Sequence, residues 1–274
     1  MRNNQDRLGP APAAASAHAA APNLSFVVPT EFVELPSRGR FYPEGHPLHN
    51  QETVEIKYMT AKEEDILASS TLIKKGLVID RLLKNLLVPG VDPSTILVGD
   101  RSALMIAARI SSYGFEYKAH VVCSECTKEQ DYLFDLRKAE LQQLCFDNSF
   151  LEENHIVFNS EKNVFEAMLP KSKVTLGIRM LTGRDEKDSA DDHSDENMVT
   201  SVLSRFAFSV NGDEEPSLVS QFVDNMLAAD SRYLRVILAD LTPNIDLKQE
   251  FVCRHCSASE NKEVPLTAEF FWPE

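Results

Sequence analysis

No apolar run in this 274-residue chain approaches the length of a membrane span, so no membrane partner is expected. Basic side chains are in deficit. There are 28 Lys and Arg against 42 Asp and Glu, a formal net charge of −14. Binding along a phosphate backbone needs clustered cations, and no Lys/Arg run is present, so no nucleic-acid partner is expected. No N-terminal segment has the apolar core of a signal peptide, which points to a reducing compartment and away from disulfides. Signatures of catalysis are missing too. There is no phosphate-cradling glycine loop, no G-x-S-x-G elbow and no H-E-x-x-H pair. The seven histidines are scattered. An enzyme is therefore not expected.

What the chain does have is cysteine in pairs. Four of its five cysteines stand as Cys123-Ser-Glu-Cys126 and Cys253-Arg-His-Cys256. Two intervening residues let both thiolates of a tight turn face one ion, and two such turns make a closed four-sulfur site. One structural Zn2+ per chain is the expected cofactor. Each pair is entered by a short apolar-rich stretch, His120-Val121-Val122 and Gln249-Glu250-Phe251-Val252. After a polar turn another comes, Tyr132-Leu133-Phe134 and Val264-Pro265-Leu266. Strand, knuckle, strand is half of a zinc ribbon. A redox dithiol is the competing reading, but such a pair normally opens a helix beside a βαβ unit. Cys145 is solitary and reads as a small buried apolar residue. His255 lies inside the second knuckle, where the flanking cysteines are the better ligands.

The two knuckles belong to a longer internal similarity. At an offset of 130, Cys123 falls on Cys253, Cys126 on Cys256, Leu104 on Leu234 and Asp100 on Asp230. Further upstream the offset is 122, where Met59-Thr60 meets Leu181-Thr182. The difference is expected to be absorbed in the acidic stretch 188–197. A period this long reads as one duplication rather than a solenoid.

The rest of the chain fits this plan. Residues 1–24 are Ala/Pro-rich and read as a disordered arm. Val54–Tyr58 alternates as a half-buried strand. Thr60 with Glu63 is a capping box that opens a helix near Ala61. Ile79–Leu87 is a short amphipathic helix, and a longer one runs from Asp100 to Ser112, ended by Tyr113-Gly114. In the middle, Lys138–Leu144 reads as helix. Strands at Ile156–Phe158 and Val164–Leu169 flank a hairpin turn. Asp185 to Glu196 is dense in carboxylates and holds His193. It lacks the spacing and central glycine of an EF-hand loop and reads as a solvated, mobile loop. Met198–Phe206 supplies another apolar helical face.

Several motifs in order carry a family resemblance. They are Leu35-Pro36-Ser37-Arg38-Gly39 with Phe41-Tyr42, Met59-Thr60 with Glu63-Glu64-Asp65, Gly99-Asp100-Arg101, Ser112-Tyr113-Gly114 with Tyr117, and the first CxxC. Together they resemble the T4-type bacteriophage base plate protein family, small hub or central-spike assembly proteins of contractile-tailed phages. The resemblance implies a structural role among other baseplate or hub proteins, in the virion tail or in the host cytoplasm during assembly. It also directs attention to the Leu35–Tyr42 loop as a partner-binding element. There Phe41 and Tyr42 would be apolar anchors flanked by Arg38 and Arg40, residue types enriched at interface hot spots. The same loop could instead fold over its own sheet.

The expected fold is α+β, with internally duplicated helix-plus-hairpin halves joined by a four-cysteine, zinc-ribbon-like site. Expected boundaries are an arm over 1–24, a first repeat over 25–137, a bridge over 138–172 and a second repeat over 173–274. A zinc-ribbon factor associated with nucleic acid is the alternative function, opposed by the acidic balance. A metal-assisted enzyme using the acidic loop is a third, opposed by the missing site.

Overall fold

The computed structural model describes residues 27–191, 198–265 and 268–271. The Ala/Pro-rich arm, His193 and Leu266 therefore lie outside the described residues. The first part of the chain runs β1 (Thr30–Glu34), β2 (Thr53–Lys57), α1 (Ala61–Leu67), α2 (Ser70–Lys74), α3 (Val78–Leu86) and α4 (Val98–Tyr113). The hairpin β3 (Glu116–Val122) and β4 (Glu129–Asp135) comes next. A linking section holds β5 (Glu140–Gln142), α5 (Asn148–Glu153) and β6 (Ile156–Asn159). Then come β7 (Val164–Met168), β8 (Thr175–Ile178), α6 (Gly183–Asp191), α7 (Met198–Phe206), β9 (Ala207–Val210), α8 (Pro216–Asp224) and α9 (Ala228–Leu241). The short β10 (Asn244–Asp246) precedes a last hairpin, β11 (Lys248–Val252) and β12 (Ser259–Glu263). All sheets are antiparallel: β1-β2, β3-β4, β11-β12, β10-β5, and the four-stranded β6-β7-β8-β9.

Local chemistry explains the main elements. The Glu63 carboxylate accepts from the Thr60 amide at 2.9 Å and from its hydroxyl at 2.6 Å, so α1 starts where the capping box places it. α3 buries Val78, Leu82, Leu83 and Leu86 along one stripe. Gly114 ends α4 with φ +84, its N–H returning to the Ile110 carbonyl. The core is continuous across both parts of the chain. Phe41 sits at its centre, 5.3–5.4 Å from the rings of Phe146, Phe158 and Phe165.

Three expected elements are corrected. Lys138–Leu144 is not helical: a 3-10 turn at Leu136–Lys138 leads into β5, which pairs with β10. The Gln142 side chain also donates to the Ala239 carbonyl at 2.7 Å, so distant pairing overrides local helix preference. The strand after the second knuckle is the polar Ser259–Glu263, not Val264–Leu266. Its register is set by the turn, which puts Val252 opposite Ser259. The acidic stretch is a helix, α6, as far as Asp191 rather than a loop. Asp185 accepts from the Thr182 amide (2.8 Å) and hydroxyl (2.9 Å) and pairs with Arg179 at 2.7 Å. Glu186 reaches the buried Arg101 at 3.1 Å. These contacts fix carboxylates that sequence alone leaves to solvent.

Candidate metal centre

The β3-β4 and β11-β12 hairpins each end in a knuckle, and the knuckles are built alike. In the first, the Cys123 amide donates to the Lys128 carbonyl at 3.1 Å and Thr127 returns to the Cys123 carbonyl at 3.0 Å. In the second, Cys253 donates to Ala258 and Ser257 to Cys253, both at 2.9 Å. The residue after each second cysteine takes a left-handed conformation, Thr127 with φ +55 and Ser257 with φ +59.

The hairpins also grip each other reciprocally. The Ser124 amide donates to the Glu260 carboxylate at 3.1 Å, and the Arg254 amide donates to the Gln130 side-chain oxygen at 2.8 Å. Position 124 is to 130 on one hairpin as 254 is to 260 on the other. The Tyr132 hydroxyl donates to the Glu250 carbonyl at 3.0 Å, and the Tyr132 ring meets Phe251 edge-on at 5.0 Å.

This docking brings the four sulfurs together. The Sγ atoms of Cys123, Cys126, Cys253 and Cys256 all lie within 4.8 Å of one another. Two cross-hairpin edges, Cys123–Cys256 and Cys126–Cys253, measure 3.7 Å. A regular tetrahedron with metal–sulfur bonds of about 2.3 Å has edges of about 3.8 Å, so the donor set fits a thiolate-bound ion such as zinc. Burial opposes charge on Cys253, yet the backbone amides of His255 and Cys256 bring its thiol down to about 7. The His255 amide approaches that sulfur at 3.4 Å. Cys123 and Cys253 are buried, Cys126 is half-buried and Cys256 is exposed, so the cluster faces solvent mainly at Cys256. Four protein sulfurs would fill a tetrahedral ion and leave no position for substrate. Cys145 is remote from the cluster in role. It is buried in the core, and burial pushes its thiol up to about 12.

The docking expectation for the Leu35–Tyr42 loop is corrected for its aromatics. Phe41 and Tyr42 are 5% and 2% exposed, held inside the chain's own core. Asn163 ties the loop down by donating to the Phe41 carbonyl at 2.6 Å. Arg38 donates to the Gln143 side chain at 2.6 Å and lies over the Phe146 ring, and the exposed Arg40 lies over the same ring. A proline-stiffened aromatic loop suits an interior lid as well as an interface, and composition does not separate the two. Gly39 carries φ +70, and a Cβ there would meet the Gln51 amide at 2.3 Å, so only glycine passes.

Sequence reasoning missed the residue to which the loop is fastened. Asp100 is fully buried and accepts from the Ser37 amide (2.9 Å), the Ser37 hydroxyl (2.5 Å) and the Tyr42 hydroxyl (2.7 Å). Burial pushes its carboxyl up, against the pull of those donors. Asp230, also fully buried at the third position of its helix, accepts from the amides of Lys171 (2.7 Å) and Ser172 (3.0 Å). Both loops begin at a Leu-Pro pair, Leu35-Pro36 and Leu169-Pro170. That pair, read with the Asp100–Asp230 alignment, was the available signal.

The fold and site define an α+β protein whose two hairpins bring four cysteines into one cluster. The chain belongs to the T4 bacteriophage base plate protein family, whose model matches residues 29–272. No curated protein and no solved structure matches it. Membership makes it a phage baseplate protein, a virion component in contact with other phage structural proteins. No helix among the described residues is long and apolar enough to cross a membrane.

Proposed function

We propose that the protein is a zinc-stabilised structural or assembly component of the hub region of a contractile phage tail baseplate. It acts through protein–protein contacts, without enzymatic activity and without binding nucleic acid or membrane. The observation that carries this reading is the four-sulfur cluster within a chain matched by the baseplate family over residues 29–272. Cys123, Cys126, Cys253 and Cys256 would hold one Zn2+, which supplies a cross-link between segments more than a hundred residues apart. The hairpins orient the sulfurs through the Ser124–Glu260 and Arg254–Gln130 bonds.

The chain reads further as a duplication, with the cluster clamping its halves. Equivalent contacts support this. Thr60–Glu63 and Thr182–Asp185 open helices with the same amide and hydroxyl bonds. The Ile56–Leu87 bridge is matched by Ile178–Ala207. Asp100 and Asp230 fasten equivalent loops.

Two measurements test the proposal. Quantitative mass spectrometry of purified tails and of hub assembly intermediates should find the protein at the hub, and metal analysis should find one zinc per chain. Absence from both particles overturns the hub role, and well under one equivalent of zinc overturns the cofactor.

A further inference from the structure

The two sheets built on the same plan differ at one edge. β7 bonds to β8 on one side and to β6 on the other, whereas among the described residues β1 bonds to β2 alone. The correspondence is fixed by the loop after each strand, a Leu-Pro loop fastened to a buried aspartate, Asp100 or Asp230. Paired bonds toward β2 fall on alternate residues. Tyr58 donates to the Pro29 carbonyl at 2.9 Å and Leu35 to the Glu52 carbonyl at 2.8 Å, with Glu31 opposite Ile56 and Val33 opposite Val54 between them. The N–H and C=O groups of Thr30, Phe32 and Glu34 therefore point outward. The equivalent groups of β7 meet β6, as Met168 shows by donating to the His155 carbonyl at 3.3 Å.

Two side chains single out this open edge. Phe32 is 72% exposed, an aromatic on a free strand where natural edges more often carry charge. Glu31 turns to the other face, and its Oε1 is buried without a hydrogen-bond partner. A buried carboxylate oxygen left unpaired is costly. On β7 the place beside the equivalent residue, Phe165, is filled by Phe158 of β6.

We infer that the outer edge of β1 is a docking site for an extended segment of another protein, added antiparallel as a strand and carrying a cationic side chain opposite Glu31. Backbone bonds to Thr30, Phe32 and Glu34 would supply affinity, and the alternating side chains would supply selectivity. An apolar residue would cover Phe32, a Lys or Arg would pair with Glu31, and an apolar residue would lie beside Val33. A second copy of this chain is disfavoured by charge, since pairing β1 with β1 gathers Glu31 and Glu34 from two chains of formal charge −14 each. The Tyr58–Pro29 bond carries the pairing straight on past Thr30. The precedent of β6 rests on the paired-halves reading proposed above; the open edge and Glu31 stand independently of it, and the test touches neither zinc content nor hub location.

The probe is a capped peptide of residues 155–160 with Phe158→Lys, compared with the same peptide carrying Phe158→Leu. Hydrogen exchange is monitored on the full-length protein. In the dilute free protein the Phe32 amide should exchange rapidly while Glu31 and Val33 stay protected. Saturating lysine peptide should slow Phe32 exchange by about tenfold or more, and the leucine peptide should bind several-fold more weakly. Glu31→Gln should abolish that preference while the fold is kept. Phe32→Pro removes an outward-facing donor and the exposed ring but no donor toward β2, so it should retain the β1-β2 bonds and lose binding. Protection of Phe32 in the dilute free protein would mean that the chain covers its own edge. Protection that grows with protein concentration would mean that a second copy does. Either result, or no slowing with the peptides, overturns the inference.

Discussion

The Tyr42 hydroxyl donates to the Asp100 carboxylate at 2.7 Å and accepts the Leu97 amide at 3.1 Å, joining the entry loop to the start of α4 inside the core. Tyr42→Phe removes both bonds without removing the ring. It leaves the buried Asp100 short of a donor and the Leu97 amide without its acceptor. We expect a loss of about 1–3 kcal/mol in unfolding free energy, read from urea denaturation with the slope unchanged. A variant as stable as the parent would show that water replaces the hydroxyl.

The four-sulfur cluster makes a statement about additivity. Cys123→Ser and Cys253→Ser each remove one ligand of the same proposed ion, and each residue forms one of the two 3.7 Å cross-hairpin edges. If the cluster holds zinc as proposed, each variant should lose it and lower the melting temperature by a similar amount, and the double variant should be little worse than either. Additive losses would indicate separate roles. A chelator should reproduce the single-variant effect on the parent and have almost none on the variants.

Gly99 lies where α4 packs tightly against the backbone before β10. A Cβ at this position would lie 1.9 Å from the Pro243 carbonyl oxygen and 2.8 Å from its carbon. Both obstacles are backbone, so Gly99→Ala has no flexible side chain to displace. Despite the better helix propensity of alanine, it should destabilise by about 1–3 kcal/mol. Thermal unfolding decides it, and a neutral or stabilising result would refute the close packing of α4 against β10.

Asp185 gives a prediction with a pH sign. Burial pushes its carboxyl up, but bonds from Arg179 and Thr182 win and hold it below the ordinary 3.8. A depressed folded-state value stabilises above the unfolded value, and that stabilisation is lost as pH falls through the folded one. Asp185→Asn should therefore cost about 1–3 kcal/mol near neutrality. The gap between variant and parent should narrow below pH 3.8. Denaturation of both proteins across that range checks it, and a gap that widens toward acid would reverse the sign.

Legibility in the sequence tracked the range of the interaction. Elements decided by neighbours along the chain were readable: the Thr60–Glu63 cap, the Gly114 stop and the two knuckles each depend on residues a few positions apart. Lys138–Leu144 was misread because β5 is made by pairing with β10, about a hundred residues away. The acidic helix was misread partly because Arg101, which holds Glu186, comes from elsewhere in the chain, and partly because the local Thr182–Asp185 cap was passed over among so many carboxylates. In the candidate site the four cysteines were legible as a set, since identical spacing named them. The reciprocal Ser124–Glu260 and Arg254–Gln130 bonds were not, because nothing about a serine or a glutamine announces a partner across a hairpin. Phe41 and Tyr42 show the limit most plainly. Their composition suits a docking surface, and only partners on other elements draw them inward, the Asp100 carboxylate for Tyr42 and the rings of Phe146, Phe158 and Phe165 for Phe41.

Cys126 and Cys253 stand 127 residues apart yet share one cluster, and this separation imposes an order in time. A ribosome adding about 5–20 residues per second needs roughly 6–25 s to travel from the first knuckle to the second. For that interval the nascent chain presents two thiols that can grasp an ion but not enclose it. The cluster can close only when the last hairpin has left the exit tunnel. A chain cut short by premature termination before the second knuckle can never close it.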